Sequence, residues 1–199
     1  MDKPLVTTAG VDGYRKGWVA AVRRPGDAVR LSTFPTIAEL ASSLPDDASI
    51  VVDIPIGHPN RIAGNGRVAE QEVRPLLKRR RSSVFSMPAR AVVELAGSRT
   101  FGLANILEAH RSASALAATL SDPPRKIPIQ SFSILPKVRE VDLFLASDPR
   151  LRERIVESHP EVAFAVLNDD REMEHGKKSQ LGRIEREAVL SRHGIPTEA

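Results

Sequence analysis

The chain has 199 residues, of which 41% are hydrophobic and none is cysteine. This length allows one domain to bury its own core, and the lack of cysteine excludes a disulfide framework, a thiolate zinc site and a cysteine nucleophile. Lysine and arginine outnumber aspartate and glutamate by 29 to 25, so the net charge of +4 tolerates an anionic partner without requiring one.

No segment of the sequence reaches the roughly 18 consecutive apolar residues that a membrane helix needs. The N-terminal sequence MDKPLVTTAG also lacks the apolar centre of a signal peptide. We therefore expect a cytoplasmic protein that makes no membrane contact. The sequence gives no indication of its oligomeric state.

The first part of the chain predicts an antiparallel meander followed by a helix. Apolar segments at residues 4–12, 18–23 and 29–34 are separated by turn-forming residues, as in consecutive hairpins. Thr36 and Glu39 have capping-box spacing ahead of apolar residues that share one helical face. The β-branched run SIVVD that follows is typical of a strand buried on both faces.

The rest of the chain predicts helices separated by one loop and one short strand. The loop covers residues 121–133, and the strand covers residues 154–158. The predicted helices span residues 67–78 and 101–120, begin at Pro136 and Pro160, and include a last helix that Ser179 caps and that ends at Gly194 and Pro196.

Two aspartates lie at the ends of predicted strands. Asp12 stands between two glycines in GVDGY, and Asp53 ends SIVVD. A strand reached through a helix usually lies parallel in the same sheet, so both carboxylates are expected at carboxyl ends, where open α/β sheets bind ligands. We expect Gly13 to let a ligand approach Asp12 closely, the alternative being a solvated turn aspartate.

Six motifs occur in one order along the chain: GVDGYRKGWVAA, DIPIGHP, GRVAEQEVRPLLKRRRSSVFSMPAR, KVREVD, ESHPEVAF and KKSQLGRIER. Together they resemble the DUF429 family, described as predicted nucleases with an RNase H-like fold, from about residue 9 to about residue 190. The resemblance implies an α/β fold with a mixed five-stranded sheet in the order 3-2-1-4-5, helices on both faces and a single domain over residues 1–199. His58 departs from the family pattern, which has leucine there.

The resemblance also implies the kind of catalysis and its alternatives. Related chains continue into a C-terminal helix with further acids, whereas this sequence ends at RHGIPTEA, so we expect the domain to lack that helix. The alternative to a nuclease is a catalytically incomplete RNase H-like protein that acts as a nucleic-acid-binding or scaffold module. A phosphotransferase of the actin and sugar-kinase type needs a second nucleotide-binding half, for which the chain is too short.

Nuclease chemistry on the resembled fold uses Mg²⁺ or Mn²⁺ ions about 4 Å apart, held by carboxylates from different elements. The resemblance makes Asp12 and Asp53 metal ligands and catalytic residues, because their strands are adjacent at the sheet centre. Glu157, at the end of the last strand, is the preferred third ligand. Other acids remain open for that position, namely Glu161, Glu140 and Asp142.

Two basic stretches are candidates for contact with a nucleic-acid backbone. KRRRSS covers residues 78–83, and KKSQLGRIER lies further on. Adjacent cations repel one another and need water or anions nearby, although a solvated helix end is the plain alternative. From these stretches we predict substrate contacts for Arg80, Arg81, Lys177 and Arg183. We also predict a substrate contact for His159, because a histidine can bind phosphate or donate a proton.

Overall fold

A computed structural model of the protein describes residues 6–97, 105–195 and 197. The chain falls into two compact units. Unit 1 comprises Met1–Arg67 and Ser86–Ser158, and unit 2 comprises Val68–Phe85 and His159–Ala199. The single RNase H-like domain over residues 1–199 stays a prediction.

Unit 1 contains the predicted five-stranded mixed sheet. The strands β1 (Thr8–Tyr14), β2 (Gly17–Arg23) and β3 (Arg30–Phe34) form the antiparallel meander. The strand β4 (Ser49–Val52) runs parallel to β1, and a later short strand, Ile155–Glu157, runs parallel to β4. The α/β class and the predicted strand order are therefore confirmed.

A second, two-stranded sheet was not predicted from the sequence. It pairs β5 (Ile62–Ala63) in parallel with β6 (Ser121–Asp122), so the edge strand of the main sheet, Ile155–Glu157, becomes β7. The order of the main sheet is accordingly β3-β2-β1-β4-β7. It matches the predicted order 3-2-1-4-5 once the small pair is set aside.

Five helices complete the described part of unit 1. They are α1 (Ile37–Ser42), α3 (Arg90–Gly97), α4 (Ile106–Thr119), α5 (Ile129–Ser147) and α6 (Leu151–Arg154). The predicted cap of α1 is confirmed, because the Thr36 hydroxyl accepts a hydrogen bond from the Glu39 N–H at 3.1 Å. Residues 101–104 of one predicted helix lie outside the described residues.

The prediction of a loop over residues 121–133 is wrong at Ser121–Asp122, which form β6, and from Ile129 onward. The helix α5 begins at Ile129, so Pro136 lies inside the helix and not at its first turn. Proline has no N–H and costs the helix one internal hydrogen bond. Phe132, Leu135 and Val138 are all buried in the core, and this packing outweighs the local cost.

One face of the main sheet forms the core of unit 1. Alternate residues of the strands turn to that face, where the helices cover them; they include Ala9, Val11, Trp18, Ala20, Val22, Ile50 and Val52. On the other face Gly10 is exposed and Val51 is only half-buried. The prediction that the β4 strand is buried on both faces is therefore wrong.

Unit 2 consists of helical segments with a small core. The helices are α2 (Val68–Val73), α7 (Pro160–Leu167) and α8 (Gln180–Arg192), and a 3₁₀ segment spans Arg74–Ser83 with non-helical backbone angles at Leu77. The helix predicted over residues 67–78 thus ends earlier and continues as a 3₁₀ segment. Leu77, Val84 and Ala165 form the buried core of this unit.

The ends of α8 agree with the predicted signals where they are described. The Ser179 hydroxyl accepts a hydrogen bond from the Gly182 N–H at 3.0 Å, and Gly194 follows the helix with φ of +65°. Pro196 lies outside the described residues. In the part of the chain that the structure describes, no helix is long and apolar enough to cross a membrane.

Candidate functional site

Asp12 lies within β1, two residues before its end, and Asp53 directly follows β4, which is the neighbouring strand at the centre of the sheet. Val11 pairs with Val52 in the parallel register of β1 and β4, and the Asp53 N–H donates to the Val11 carbonyl at 2.9 Å. Extending this register by one residue puts Asp12 opposite Asp53, and neighbouring strands lie about 4.8 Å apart. The predicted proximity of these two residues thus agrees with the strand register.

Alternation along the strands turns both aspartates away from the core. Val11 and Val52 are buried, with exposed fractions of 4% and 0%, so the next residues point to the opposite face of the sheet. Asp12 is exposed and Asp53 is half-buried. The two carboxylates therefore form an aspartate pair on the open face.

The glycine that opens this face is Gly10, not Gly13 as we expected. A Cβ atom added to Gly13 would touch the side chains of Trp18 and Lys137 at 3.5 and 3.6 Å, on the core side. A Cβ atom added to Gly10 would meet no atom within 4 Å. Since Gly10 precedes Asp12 by two residues, it shares the face of the aspartate pair and leaves space beside it.

Glu157 does not share that face. It pairs in register with Val52, so strand alternation turns it to the side opposite Asp53. Its carboxylate forms a bidentate ion pair with Arg67, with Nη2–Oε1 at 2.7 Å and Nη1–Oε2 at 3.0 Å. The structure therefore gives the predicted third metal ligand a cationic partner.

Arg67 and Glu157 together hold the loop that follows Asp53. The Arg67 guanidinium, which is buried, donates to the Ile56 carbonyl at 2.7 Å and to the Gly57 carbonyl at 3.3 Å. Glu157 Oε2 accepts the Ile56 N–H at 2.8 Å. The ion pair thus binds both the N–H and the carbonyl of Ile56. It thereby stabilises the backbone of the loop that positions Asp53.

Sequence reasoning missed Arg67 as part of this site. The residue stands in the third of the six motifs, GRVAEQEVRPLLKRRRSSVFSMPAR, but nothing in its own spacing marks it as buried. Its partner is 90 residues away in the chain. Its place inside a motif that follows DIPIGHP is the signal by which it could have been found.

His58 is buried within the same loop. Its Nδ1 lies 3.3 Å from the Pro88 carbonyl, and its Nε2 lies 3.4 Å from the Pro55 carbonyl. Burial lowers the pKa of this imidazole below its ordinary value, and the positive charge of Arg67 lowers it further. The neutral ring has one N–H, so it donates to only one of the two carbonyls at a time.

Replacing His58 by leucine is expected to weaken the pH dependence of stability. Because the pKa of His58 is lower in the folded chain, its contribution is complete above about pH 7.5 and is lost as the pH falls through the folded-state value. Urea unfolding of wild type and His58→Leu between about pH 5 and pH 8 measures this difference.

The matched control is His58→Gln, which keeps a polar side chain but cannot titrate. In both variants the free energy of unfolding should change less steeply with pH than in the wild type, and by the same amount, although their absolute stabilities can differ. A wild-type slope that persists in both variants would contradict a role for His58 in the pH dependence.

Glu140, one alternative third ligand, is engaged within the core of unit 1. Its Oε1 accepts the Trp18 Nε1–H and the Ile37 N–H, both at 2.8 Å. Lys137 Nζ lies 3.3 Å from Oε2 and also stacks over the Trp18 ring. The carboxylate thus satisfies a buried indole and the start of α1.

The other two alternative acids are also paired with arginines. Asp142 forms a bidentate pair with Arg90, including Nη2–Oδ1 at 3.1 Å. In unit 2, Arg186 Nη2 lies 3.0 and 2.9 Å from the two oxygens of Glu161. Each acid proposed for the third position therefore has a partner that stabilises its charge.

The described residues contain no group of three or more histidine, cysteine, aspartate or glutamate side chains that could hold a metal ion. The metal site predicted from the sequence therefore concerns the aspartate pair. Carboxylate oxygens are the ligands that Mg²⁺ and Mn²⁺ prefer, so this pair has suitable chemistry.

Two of the predicted substrate contacts are engaged within unit 2. Arg80 Nη2 donates to the Glu174 carbonyl at 2.8 Å. His159 caps α7, because its Nδ1 accepts the Glu161 N–H at 3.3 Å while its Nε2 lies 3.2 Å from the Ser83 carbonyl. Both residues therefore hold backbone segments of this unit together.

The remaining predicted contacts are exposed. Arg183 pairs with Glu187 on α8, with Nε–Oε1 at 2.6 Å, a geometry that contributes little at the surface. Arg81 and Lys177 are exposed to solvent. Substrate contact stays a prediction for all of these residues.

Comparison with known proteins gives one family match. A family model described as "Protein of unknown function (DUF429)" matches residues 10–199, nearly the whole chain. The resemblance carried by the six motifs is thereby confirmed. No curated protein and no solved structure matches the chain.

Proposed function

The chain belongs to the DUF429 family, and from the geometry of its aspartate pair we propose that it is a metal-dependent nuclease of RNase H-like fold. Its substrate would be the phosphodiester backbone of nucleic acid, in the cytoplasm. The observation that supports this proposal is the register of β1 and β4, which places Asp12 and Asp53 directly after the last residue pair of their parallel pairing, Val11 and Val52.

Two neighbouring carboxylates suit a divalent cation for an electrostatic reason. Two carboxylates on adjacent strands attract a divalent cation more strongly than either carboxylate does alone. Mg²⁺ is usually held by one or two carboxylates together with water and substrate phosphates. Asp12 and Asp53 would bind and orient such an ion on the open face of the sheet.

The bound metal would supply Lewis-acid stabilisation of the phosphate and an activated water. The protein would position the metal ligands. The Asp53 backbone is fixed by its hydrogen bond to the Val11 carbonyl and by the loop that Arg67 and Glu157 hold. Gly10 leaves room beside the pair for the substrate backbone.

In this proposal Glu157 positions the loop and does not bind the metal. Its carboxylate already accepts two guanidinium contacts and one backbone N–H. To act as a ligand it would have to give up its bidentate contact with the buried Arg67 guanidinium, which is costly. Glu157 as third ligand remains the competing prediction.

The ion pairing of the other acids also supports a second candidate function. Glu140, Asp142, Glu157 and Glu161 are all held by other groups of the protein. A chain in which each acid considered for the third metal position is already paired suits a nucleic-acid-binding or scaffold protein that has no turnover. Metal-independent binding without hydrolysis would distinguish this function from the nuclease.

Calorimetric titration with Mn²⁺ or Mg²⁺ tests the metal site. We expect the wild-type chain to bind the ion and the Asp12→Asn/Asp53→Asn variant to lose this binding, because the amides keep the shape and remove the charge. The matched control is Asp46→Asn/Asp47→Asn, which removes two adjacent acids from an exposed turn.

Glu157→Gln separates the two predictions for the third position. If Glu157 only positions the loop, this variant should bind the ion within about threefold of wild type. No heat of binding in the wild-type chain, or equal binding in wild type and the double aspartate variant, would contradict the proposed metal site.

A further inference from the structure

Two segments of unit 2 are joined by hydrogen bonds around Arg80. Glu172 Oε2 accepts the backbone N–H of Arg79 at 2.8 Å and that of Arg80 at 3.3 Å. The Arg80 side chain donates to the carbonyls of Met173 and Glu174, at 3.4 and 2.8 Å. The 3₁₀ segment therefore lies directly against residues 172–176.

Five exposed cations flank these contacts. Two of them precede Arg80 in the 3₁₀ segment, one follows Arg80, and two follow Gly176. A Cβ atom added to Gly176 would lie 3.5 Å from Arg80 Nη1. We call this set the basic surface: Lys78, Arg79, Arg81, Lys177 and Lys178. None of its five side chains forms an ion pair with another residue that the structure describes.

The acids nearby do not neutralise the basic surface. Glu172 and Glu174 are the acidic residues of the joining loop, and Glu172 is occupied by backbone N–H groups. Five cations against these two acids and Glu185, which accepts two N–H groups of the same loop, leave a local excess of positive charge that attracts a polyanion.

The backbone that carries the cations is well fixed. Glu185 accepts the N–H groups of Glu174 and His175 at 2.7 and 2.9 Å, and Arg186 donates to the His175 carbonyl at 3.1 Å. The five side chains of the basic surface extend from this backbone and are exposed. A fixed array of cations loses little conformational freedom of its backbone when it binds an anion.

The chemistry of the surface favours contact with phosphates over contact with bases. Residues 76–83 and 172–180 contain no phenylalanine, tyrosine or tryptophan, so they offer no platform for base stacking. Lysine and arginine at an exposed surface bind a phosphate backbone through its charge and release condensed counterions. Such contacts position nucleic acid without reading its sequence.

We propose that the basic surface of unit 2 binds the phosphate backbone of nucleic acid without sequence preference and without a metal ion. The choice of nucleic acid as the polyanion rests on the proposed function. The binding itself goes beyond that function, because it needs neither carboxylate of the aspartate pair. Arg81 and Lys177 belong to this surface. Arg80 does not, because its side chain holds the two segments together through the carbonyls of Met173 and Glu174.

Fluorescence anisotropy with a labelled 20-nucleotide single strand, in EDTA and at increasing salt, tests the proposal. For contacts with about four phosphates, log K should fall against log salt with a slope of about −3. The variant Lys78→Gln/Arg79→Gln/Arg81→Gln should bind at least about tenfold more weakly at low salt, with a slope reduced by about 2.

The matched control is Arg23→Gln/Arg24→Gln/Arg30→Gln, which removes the same charge from exposed positions of unit 1. It should retain most of the wild-type affinity. Equal losses in the two triple variants, or no binding by the wild-type chain in EDTA, would overturn the proposal. Binding to anionic phospholipid vesicles but not to the oligonucleotide would also overturn it.

The two proposals fail separately. Asp12→Asn/Asp53→Asn should bind the oligonucleotide in EDTA as wild type does, because these residues are not part of the basic surface. Loss of metal binding with retained anisotropy would therefore identify the aspartate pair as the metal site and leave the basic surface intact. Loss of oligonucleotide binding in this variant would instead overturn the assignment to unit 2.

Discussion

Replacing Arg67 by alanine is expected to lower the free energy of unfolding by about 2–4 kcal/mol. Breaking a buried ion pair costs about 3–5 kcal/mol, and the lower range applies because the Glu157 side chain is 30% exposed. The variant also leaves the Ile56 and Gly57 carbonyls without their guanidinium donor. Urea unfolding followed by circular dichroism measures the change.

Arg67→Lys should recover only a small part of the loss, because an ammonium cannot make the bidentate contact and reach both carbonyls. Arg67→Met/Glu157→Met should be less destabilised than Arg67→Ala, since it leaves no uncompensated charge. The exposed Arg61→Ala serves as control. An Arg67→Ala variant within about 0.5 kcal/mol of wild type would refute the role of this ion pair.

Local patterns in the sequence were sufficient to predict the meander, whereas the proximity of Asp12 and Asp53 was predicted from the helical connection to β4 and from the resemblance to the family. Turn residues separate the first three strands, and continuous β-branched residues mark β4. The buried Val11 and Val52 then determine the direction of Asp12 and Asp53 by alternation alone.

Glu157 shows where local patterns are insufficient. The strand β7 has three residues, Ile-Val-Glu, and either Ile155 or Val156 could face the core by pattern. The structure buries Ile155 and leaves Val156 45% exposed, which turns Glu157 away from the aspartate pair. A shift of one residue in register would have given the predicted arrangement.

The residues that pair with the acids also could not be predicted from the sequence. Glu157 binds Arg67 across 90 residues, and Glu140 binds Trp18 across 122 residues. Spacing along the chain carries no information about such contacts, because they form only when the elements pack. Counting acids therefore overestimated the number of carboxylates free to hold metal.

Hydrolysis of a labelled oligonucleotide in Mn²⁺ should fall by at least about 100-fold in Asp12→Asn and in Asp53→Asn, since metal ions contribute several kcal/mol of transition-state stabilisation. The single amides preserve the volume and one acceptor oxygen, so a loss of this size would follow from the loss of a charged ligand oxygen. Circular dichroism of each variant checks that the fold is retained, and Asp46→Asn/Asp47→Asn is the control for removal of acids elsewhere.

Glu157→Gln is the decisive comparison in the same assay. The register of β7 predicts turnover within about tenfold of wild type, together with a measurable loss of stability, because the residue acts through the loop that it shares with Arg67. If Glu157→Gln instead loses as much turnover as Asp53→Asn while its unfolding free energy stays that of wild type, Glu157 binds the metal. The ion pair with Arg67 would then have to open for catalysis.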